Sequence, residues 1–359
     1  MRAVIRRGPR LICEEIADPV PGPGQVLVKS LACGICGSDL HALHHADQLA
    51  ALAARAGATG FMDPARDTVF GHEFCAEVLD HGPGTAGSLK AGTRVVSMPM
   101  SFGPAGMDLI GYSNALPGGF AERLLLTEAL LLPVPNGLAD EHAALTEPLA
   151  VGLHAVEQAD LAAAGAALVV GCGPVGLAVI ACLKARGFGP VVAADFSPAR
   201  RRAAEVLGAD LVLDPREKSP HDAWSGFGVP GNLAERGLAL MMGQVPKRAV
   251  IFECVGVPGI LQALFDGAPP AAQIVVVGVC MESDRIEPAL AINKQLDLRF
   301  VFGYTPEEFG RALHLLAEGL VPATPFVTGT VGLDGTAAAF EALRRPDDHI
   351  KIIVRPHAP

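Results

Sequence analysis

Two hydrophobic patterns divide the chain. As far as about residue 148, apolar and polar positions alternate in short runs. Examples are Gln25–Ser30, where Val26 and Val28 share a face, and Thr93–Ser97, with Gly and Pro punctuating the intervals. Period-two alternation bounded by turn residues predicts the short strands of a β-rich domain. One stretch departs from this: Ala46–Gly57 is rich in Ala and Leu and predicts a helix. From about Gly165 the pattern changes to continuous apolar runs separated by helical periodicity. Strands are predicted at Leu168–Val170, Val191–Asp195, Leu211–Leu213, Val250–Glu253, Ile274–Gly278 and Leu298–Phe302, with helices at Val175–Arg186 and Pro198–Leu207. Gly226–Val245 reads as a long loop carrying a short helix near Leu233–Met242. After Gly303 the short strands return, as at Ile350–Val354.

Strand–helix alternation predicts a doubly wound parallel sheet. The fold class is therefore α/β. The sheet domain spans 149–302, and a second, β-rich domain is assembled from 1–148 and 303–359. The 359 residues are ample for two cores. Ala166–Leu183 is long and apolar enough to raise a membrane helix, but Gly171, Gly173, Pro174 and Gly176 interrupt it and strand–turn–helix accounts for the same residues. The N-terminal residues lack the apolar core of a signal peptide, which gives an expectation of a cytoplasmic protein with no membrane partner. A net charge of −10 argues against a nucleic-acid partner, which needs basic surface. The eight Cys are scattered through mostly apolar stretches, a pattern of buried thiols and metal ligands and not of a disulfide framework.

Gly171-Cys172-Gly173-Pro174-Val175-Gly176 fits G-x-G-x-x-G and stands between a predicted strand and a predicted helix. That context lets the backbone approach a pyrophosphate at a helix N-terminus. Asp195, closing the next strand, is placed to accept hydrogen bonds from the adenosine ribose hydroxyls and to repel a 2′-phosphate, favouring NAD. Arg200, Arg201 and Arg202 follow at once, and Arg200 is the one counted among the cofactor contacts. Arginines here also suit a 2′-phosphate, so the choice between NAD and NADP stays open at this level. Val277 and Phe302, in the later strands, complete the candidate contacts from this domain.

Chemistry-bearing residues also concentrate in the first domain. Cys33-Gly34-Ile35-Cys36-Gly37-Ser38-Asp39-Leu40-His41 brings two thiols, a hydroxyl, a carboxylate and an imidazole into nine residues; Gly71-His72-Glu73 and Glu147-Pro148 follow. These are the donor types of a zinc site. In this order, and with the glycine turn and Asp195 behind them, the motifs resemble the zinc-dependent branch of the medium-chain dehydrogenase/reductase family, which includes alcohol, sorbitol, threonine and glucose dehydrogenases. The resemblance covers nearly the whole chain.

The resemblance implies a GroES-like catalytic domain beside a Rossmann domain. It makes Cys36 and His72 zinc ligands and leaves the third open between Glu73 and Glu147, both placed at the metal. Asp39 matches a carboxylate that orients His72. Ser38 and His41 match a proton relay from the substrate oxygen, and with Glu73 they are the catalytic candidates. Lys351 matches a basic residue that reaches the cofactor pyrophosphate. Cys33 is read as a buried thiol, His44 and His45 as surface residues, and His154 as a packed core histidine. The implied activity is reversible hydride transfer between an alcohol or polyol and NAD, in a homodimer or homotetramer acting on a small molecule. The alternatives are a zinc-free enone or quinone reductase of the same superfamily and a non-catalytic NAD(H)-binding protein.

Two departures bear on this. The family's second, structural zinc sits on a four-Cys lobe after Gly92-Thr93-Arg94-Val95, yet 101–120 contains no Cys, so one catalytic zinc and no structural zinc are expected. The interval from Cys36 to His72 is also longer than in common relatives, which makes Asp47–Asp63 an insertion beside the site.

Overall fold

Alternation in the N-terminal region is realised as a strand over Gln25–Gly34, buried at every second position until its last three residues, which are all buried. That change marks where the strand runs between two neighbours deep in a sheet. Cys33 and Gly34 face Phe74 and Glu73 on the antiparallel strand Glu73–His81, and Val354 and Ile353 on the strand Lys351–Val354. The sheet runs Leu131–Pro133, Arg94–Ser97, Glu73–His81, Gln25–Gly34, Lys351–Val354, Val327–Val331, with Arg123–Thr127 also paired to Gln25–Gly34. Val26, Val28, Phe70, Phe74, Phe120, Leu124 and Phe340 fill the core beside it.

The computed structural model describes residues 1–58, 60–103, 106–345 and 347–358. Its two units are Met1–Glu147 with Phe309–Pro359, and Pro148–Glu308. The second crossing falls six residues beyond the predicted start at Gly303. The reason is local: Thr305 donates its N–H to the Glu308 carboxylate at 2.7 Å, and that carboxylate pairs with His154 at 3.0 Å, so Thr305–Glu308 are tied into the second unit. His154 is thus an ion-pairing residue of intermediate exposure and not the core histidine expected.

In the second unit the apolar runs become a six-stranded, wholly parallel sheet in the order Leu211–Leu213, Val191–Ala194, Ala164–Val170, Arg248–Glu253, Gln273–Val276, Asp297–Phe300. In chain order this is 3-2-1-4-5-6, the doubly wound arrangement in which ligands bind at the carboxyl ends of the strands. The apolar stretch 166–183 is divided between the first strand and the helix Pro174–Ala185, eight residues of which are buried. Among the described residues no helix is long and apolar enough to cross a membrane. Pro220–Phe227 forms a 3₁₀ helix seating Trp224 in the core, overlapping the start of the predicted loop. The helix Leu233–Met241 is present, capped by Asn232, and buries none of its residues. In the first unit, Ala46–Arg55 is the predicted helix, and the Cys-free stretch begins with a hairpin of Met100–Gly103 and Gly106–Leu109.

Candidate metal centre and dinucleotide turn

Cys36 stands where the strand Gln25–Gly34 gives way to the helix Gly37–His44, with extended backbone at the helix N-cap. Asp39, at the third helical position, accepts the Cys36 N–H through Oδ2 at 2.9 Å. A carboxylate at this position satisfies a donor that the helix leaves unpaired and complements the helix dipole. Glu73 opens the neighbouring strand, with His72 immediately before it, and the register sets Glu73 opposite Gly34. A Cβ on Gly34 would lie 2.1 Å from Glu73 Oε2, so only glycine leaves room for that carboxylate. The result is a group of three donors, Cys36, His72 and Glu73, whose ligating atoms lie within 4.8 Å of one another. Among the described residues Glu147 is not in that group; it lies in the first turn of the helix Thr146–Glu157 and adds its negative field at Lys351.

The electrostatics suit a cation. His72 and Glu73 are buried, and Glu73 Oε1 has no hydrogen-bond partner among the described residues. Burial works against charge on the His72 ring, but Asp39 and Cys36 outweigh it and hold the imidazole well above its ordinary range. The His72 Nδ1 to Asp39 Oδ1 approach of 3.3 Å is in ion-pair range without hydrogen-bond alignment, so Asp39 acts on His72 through charge. A thiolate, an imidazole and a carboxylate with an unpartnered oxygen fit zinc, which takes three protein ligands in catalytic sites.

Lys351 is not where the sequence put it. In place of an exposed position open to a pyrophosphate, it is fully buried, ion-paired with Glu73 Oε2 and donating to the Ile35 carbonyl at 3.2 Å. Burial disfavours its charge, yet Glu73 and Cys36 more than compensate and the ammonium is held above its usual value. Antiparallel pairing of Ile353 with Gly34 forces this, since it carries the strand's first residue to the Ile35–Cys36 corner.

Ser38 is partly exposed on the same helix. Its Oγ lies 2.8 Å from the hydroxyl of Tyr112, which also lies 3.2 Å from Asp39 Oδ1. Tyr112 was not singled out from sequence: it stands in a stretch informative there only for its lack of Cys. Its ring is 5.7 Å from that of Phe61, nearly parallel, and 5.2 Å from that of His72. Phe61 belongs to the insertion, so that segment abuts the site through an aromatic stack. His41, one turn beyond Ser38, is half-buried, and burial followed by the neighbouring His45 pulls its pKa below the ordinary value. Cys33 is completely buried, its thiol pushed far up by burial.

In the second unit the glycine turn is built as its spacing requires. Gly171 has φ +89°, and a Cβ on Gly176 would fall 1.9 Å from the Gly171 carbonyl oxygen. Asp195 is locked to the turn, accepting from Cys172 N at 2.7 Å through Oδ2 and from Ser197 N at 2.7 Å through Oδ1. Each oxygen keeps a lone pair for a ribose hydroxyl. Arg200 lies 4.0 Å from Asp195 and beside Gly173. Arg201 is engaged elsewhere, bonding the Asp195 and Phe196 carbonyls and pairing with Asp214 at 2.9 Å. Val277 follows the strand Gln273–Val276 and donates to the Glu253 carbonyl, whereas Phe302 lies beyond its strand and is 92% exposed. Pro174 and Val175 open the helix.

Comparison with known proteins extends these local fits to the whole chain. Residues 22–136 match the family described as alcohol dehydrogenase GroES-like domain, and 174–318 that described as zinc-binding dehydrogenase. The chain is 34% identical to the (R,R)-butanediol dehydrogenase of Bacillus subtilis (strain 168), covering 96% of each. An X-ray structure of the 2R,3R-butanediol dehydrogenase from that species superposes with a TM-score of 0.78 at 31% identity, over 99% of each chain. The sorbitol dehydrogenase of Gallus gallus is 28% identical over 99% of this chain and 96% of its own. A putative zinc-binding dehydrogenase from Sinorhizobium meliloti 1021, solved bound to NADP, gives a TM-score of 0.79 at 26% identity over 99% of each chain.

Proposed function

This chain belongs to the zinc-dependent medium-chain dehydrogenase/reductase family, and from that premise we propose that it interconverts a vicinal diol or polyol and the corresponding carbonyl compound, with NAD as hydride carrier. At the coarser level it is an oxidoreductase acting on alcohols, with a GroES-like and a Rossmann-like domain. The observation that carries the proposal is the convergence of Cys36, His72 and Glu73 at the N-terminus of the helix bearing Ser38. The diol class follows from the butanediol and sorbitol relatives, whose named substrates share adjacent hydroxyls.

Cys36, His72 and Glu73 are assigned to hold zinc, with Glu147 beside them. Zinc there supplies Lewis acidity towards an alcohol oxygen, and NAD supplies the hydride acceptor. Ser38 takes the hydrogen bond of the substrate oxygen. His41, its pKa lowered by burial and by His45, is a neutral acceptor for the released proton at neutral pH. The test is a panel of diols, polyols and simple alcohols assayed by NADH absorbance, with metal quantification on the same preparation. We expect turnover of 2,3-butanediol or a polyol and one zinc per chain, because 101–120 offers no Cys for a second. A metal-free active protein, or two tight zinc ions per chain, overturns the assignment.

Cofactor choice rests on Asp195. Its two backbone bonds aim the carboxylate, and Arg201 is committed to Asp214, which leaves Arg200 as the arginine beside the turn. Asp195→Ser is expected to reduce kcat/KM for NAD⁺ by about 10- to 100-fold, the worth of charged hydrogen bonds, while use of NADP⁺ rises. A wild-type preference for NADP⁺ sinks this reading.

A further inference from the structure

The Tyr112 hydroxyl is held between two oxygens with different needs. Asp39 Oδ1, 3.2 Å away, only accepts; Ser38 Oγ, 2.8 Å away, both accepts and donates. Asp39 is fully buried, and its other oxygen is occupied by the Cys36 N–H. The phenol ring is fixed from two sides, stacked on Phe61 at an interplanar angle of 16° and packed against His72 at 5.2 Å. A phenol carries its proton at neutral pH. Tyr112 therefore always has a single proton to give, and two acceptors for it.

We propose that Tyr112 is a positioning residue for Ser38, setting whether that hydroxyl faces the substrate as an acceptor or as a donor. With the phenolic proton on Asp39, Ser38 turns its own proton to the Tyr112 oxygen and presents lone pairs outward, as an alcohol O–H requires. With the phenolic proton on Ser38, the serine proton points outward, as a carbonyl oxygen requires. The two arrangements differ by rotation of two O–H bonds. No heavy atom moves, no bond is broken, and the proton lost by the alcohol does not pass through Tyr112. An enzyme working in both directions needs both orientations, and a hydroxyl anchored to a single fixed partner offers one.

This rests on the reading of Ser38 as the residue that bonds the substrate oxygen, and the test separates the two. Tyr112→Phe keeps both ring contacts and removes only the hydroxyl. With 2,3-butanediol and NAD⁺, and in reverse with acetoin and NADH, kcat is expected to fall about tenfold, the rate equivalent of one hydrogen bond. KM should stay within about twofold and zinc content unchanged. In a Ser38→Ala background the same substitution should have no further effect, because Tyr112 acts through Ser38. Phe61→Leu, which leaves the hydroxyl but frees the ring, should lower kcat by a smaller factor that also vanishes without Ser38. A structural contribution by Tyr112 would instead multiply with Ser38→Ala. Full activity in Tyr112→Phe, or an equal loss in both backgrounds, overturns the inference while the dehydrogenase reading stands. Ser38→Ala at full activity overturns the reading of Ser38 and the inference with it, and a wild-type protein that turns over no alcohol overturns the dehydrogenase reading as well.

Discussion

Cys36→Ser is expected to strip the protein of zinc and abolish alcohol oxidation. The substitution exchanges a soft thiolate for a hydroxyl that is neutral at working pH, leaving two donors, His72 and Glu73, where three converge within 4.8 Å. Losing a mere outer partner of a metal ligand costs about 10- to 100-fold in affinity, so loss of a ligand exceeds that. Activity should fall by more than about a thousandfold, and metal quantification after gel filtration should read near zero. Cys33→Ala is the matched control. That thiol is three residues away in sequence but is completely buried and, among the described residues, belongs to no donor group, so zinc should remain. A Cys36→Ser protein that keeps one zinc per chain and half its activity means that the metal is held elsewhere.

Lys351→Met destabilises the metal-free protein by about 3–5 kcal/mol, the cost of leaving one member of a buried ion pair without its partner. Both side chains are 1% exposed, so water cannot take over the role of the lost ammonium. The measurement is urea unfolding in the presence of chelator, with an unchanged m-value certifying that the shift is one of stability. Adding Glu73→Gln to Lys351→Met should restore much of the loss, because removing both charges leaves neither stranded. A loss below about 1 kcal/mol would show that the pair contributes only as a surface bridge does.

These two residues also mark how far sequence reasoning reaches. Cys36, Ser38, Asp39 and His41 lie within one turn and its flank, and Gly171–Gly176 is a single tight turn, so spacing alone locates them. The parallel sheet was equally legible, because its central strands are short apolar runs buried on both faces. Lys351 was misplaced because a lysine in an alternating strand looks exposed, and the carboxylate that draws it inward is 278 residues away. Tyr112 was invisible for a similar reason: its partners, Ser38 and Asp39, are more than seventy residues distant. The sequence left the third donor open between Glu73 and Glu147; spacing does not reveal the register that sets Glu73 against Gly34 and beside Cys36, which is what favours it in the proposed site.

The strand Lys351–Val354 lies between Gln25–Gly34 and Val327–Val331, and this has a consequence for biosynthesis. The Pro148–Glu308 unit is continuous in sequence and can close its sheet while translation is still under way. The first unit cannot. Glu73 leaves the ribosome 278 residues ahead of the lysine that pairs with it, an interval of roughly 15–60 s at ordinary elongation rates. Throughout that time the nascent Cys36, His72 and Glu73 lack the neighbouring strand and the buried ammonium that give the pocket its shape. Capture of a metal by the finished geometry thus waits on residue 351, and a ribosome stalled before that codon is expected to yield a chain whose Pro148–Glu308 sheet is closed while Cys36, His72 and Glu73 still lack their neighbouring strand.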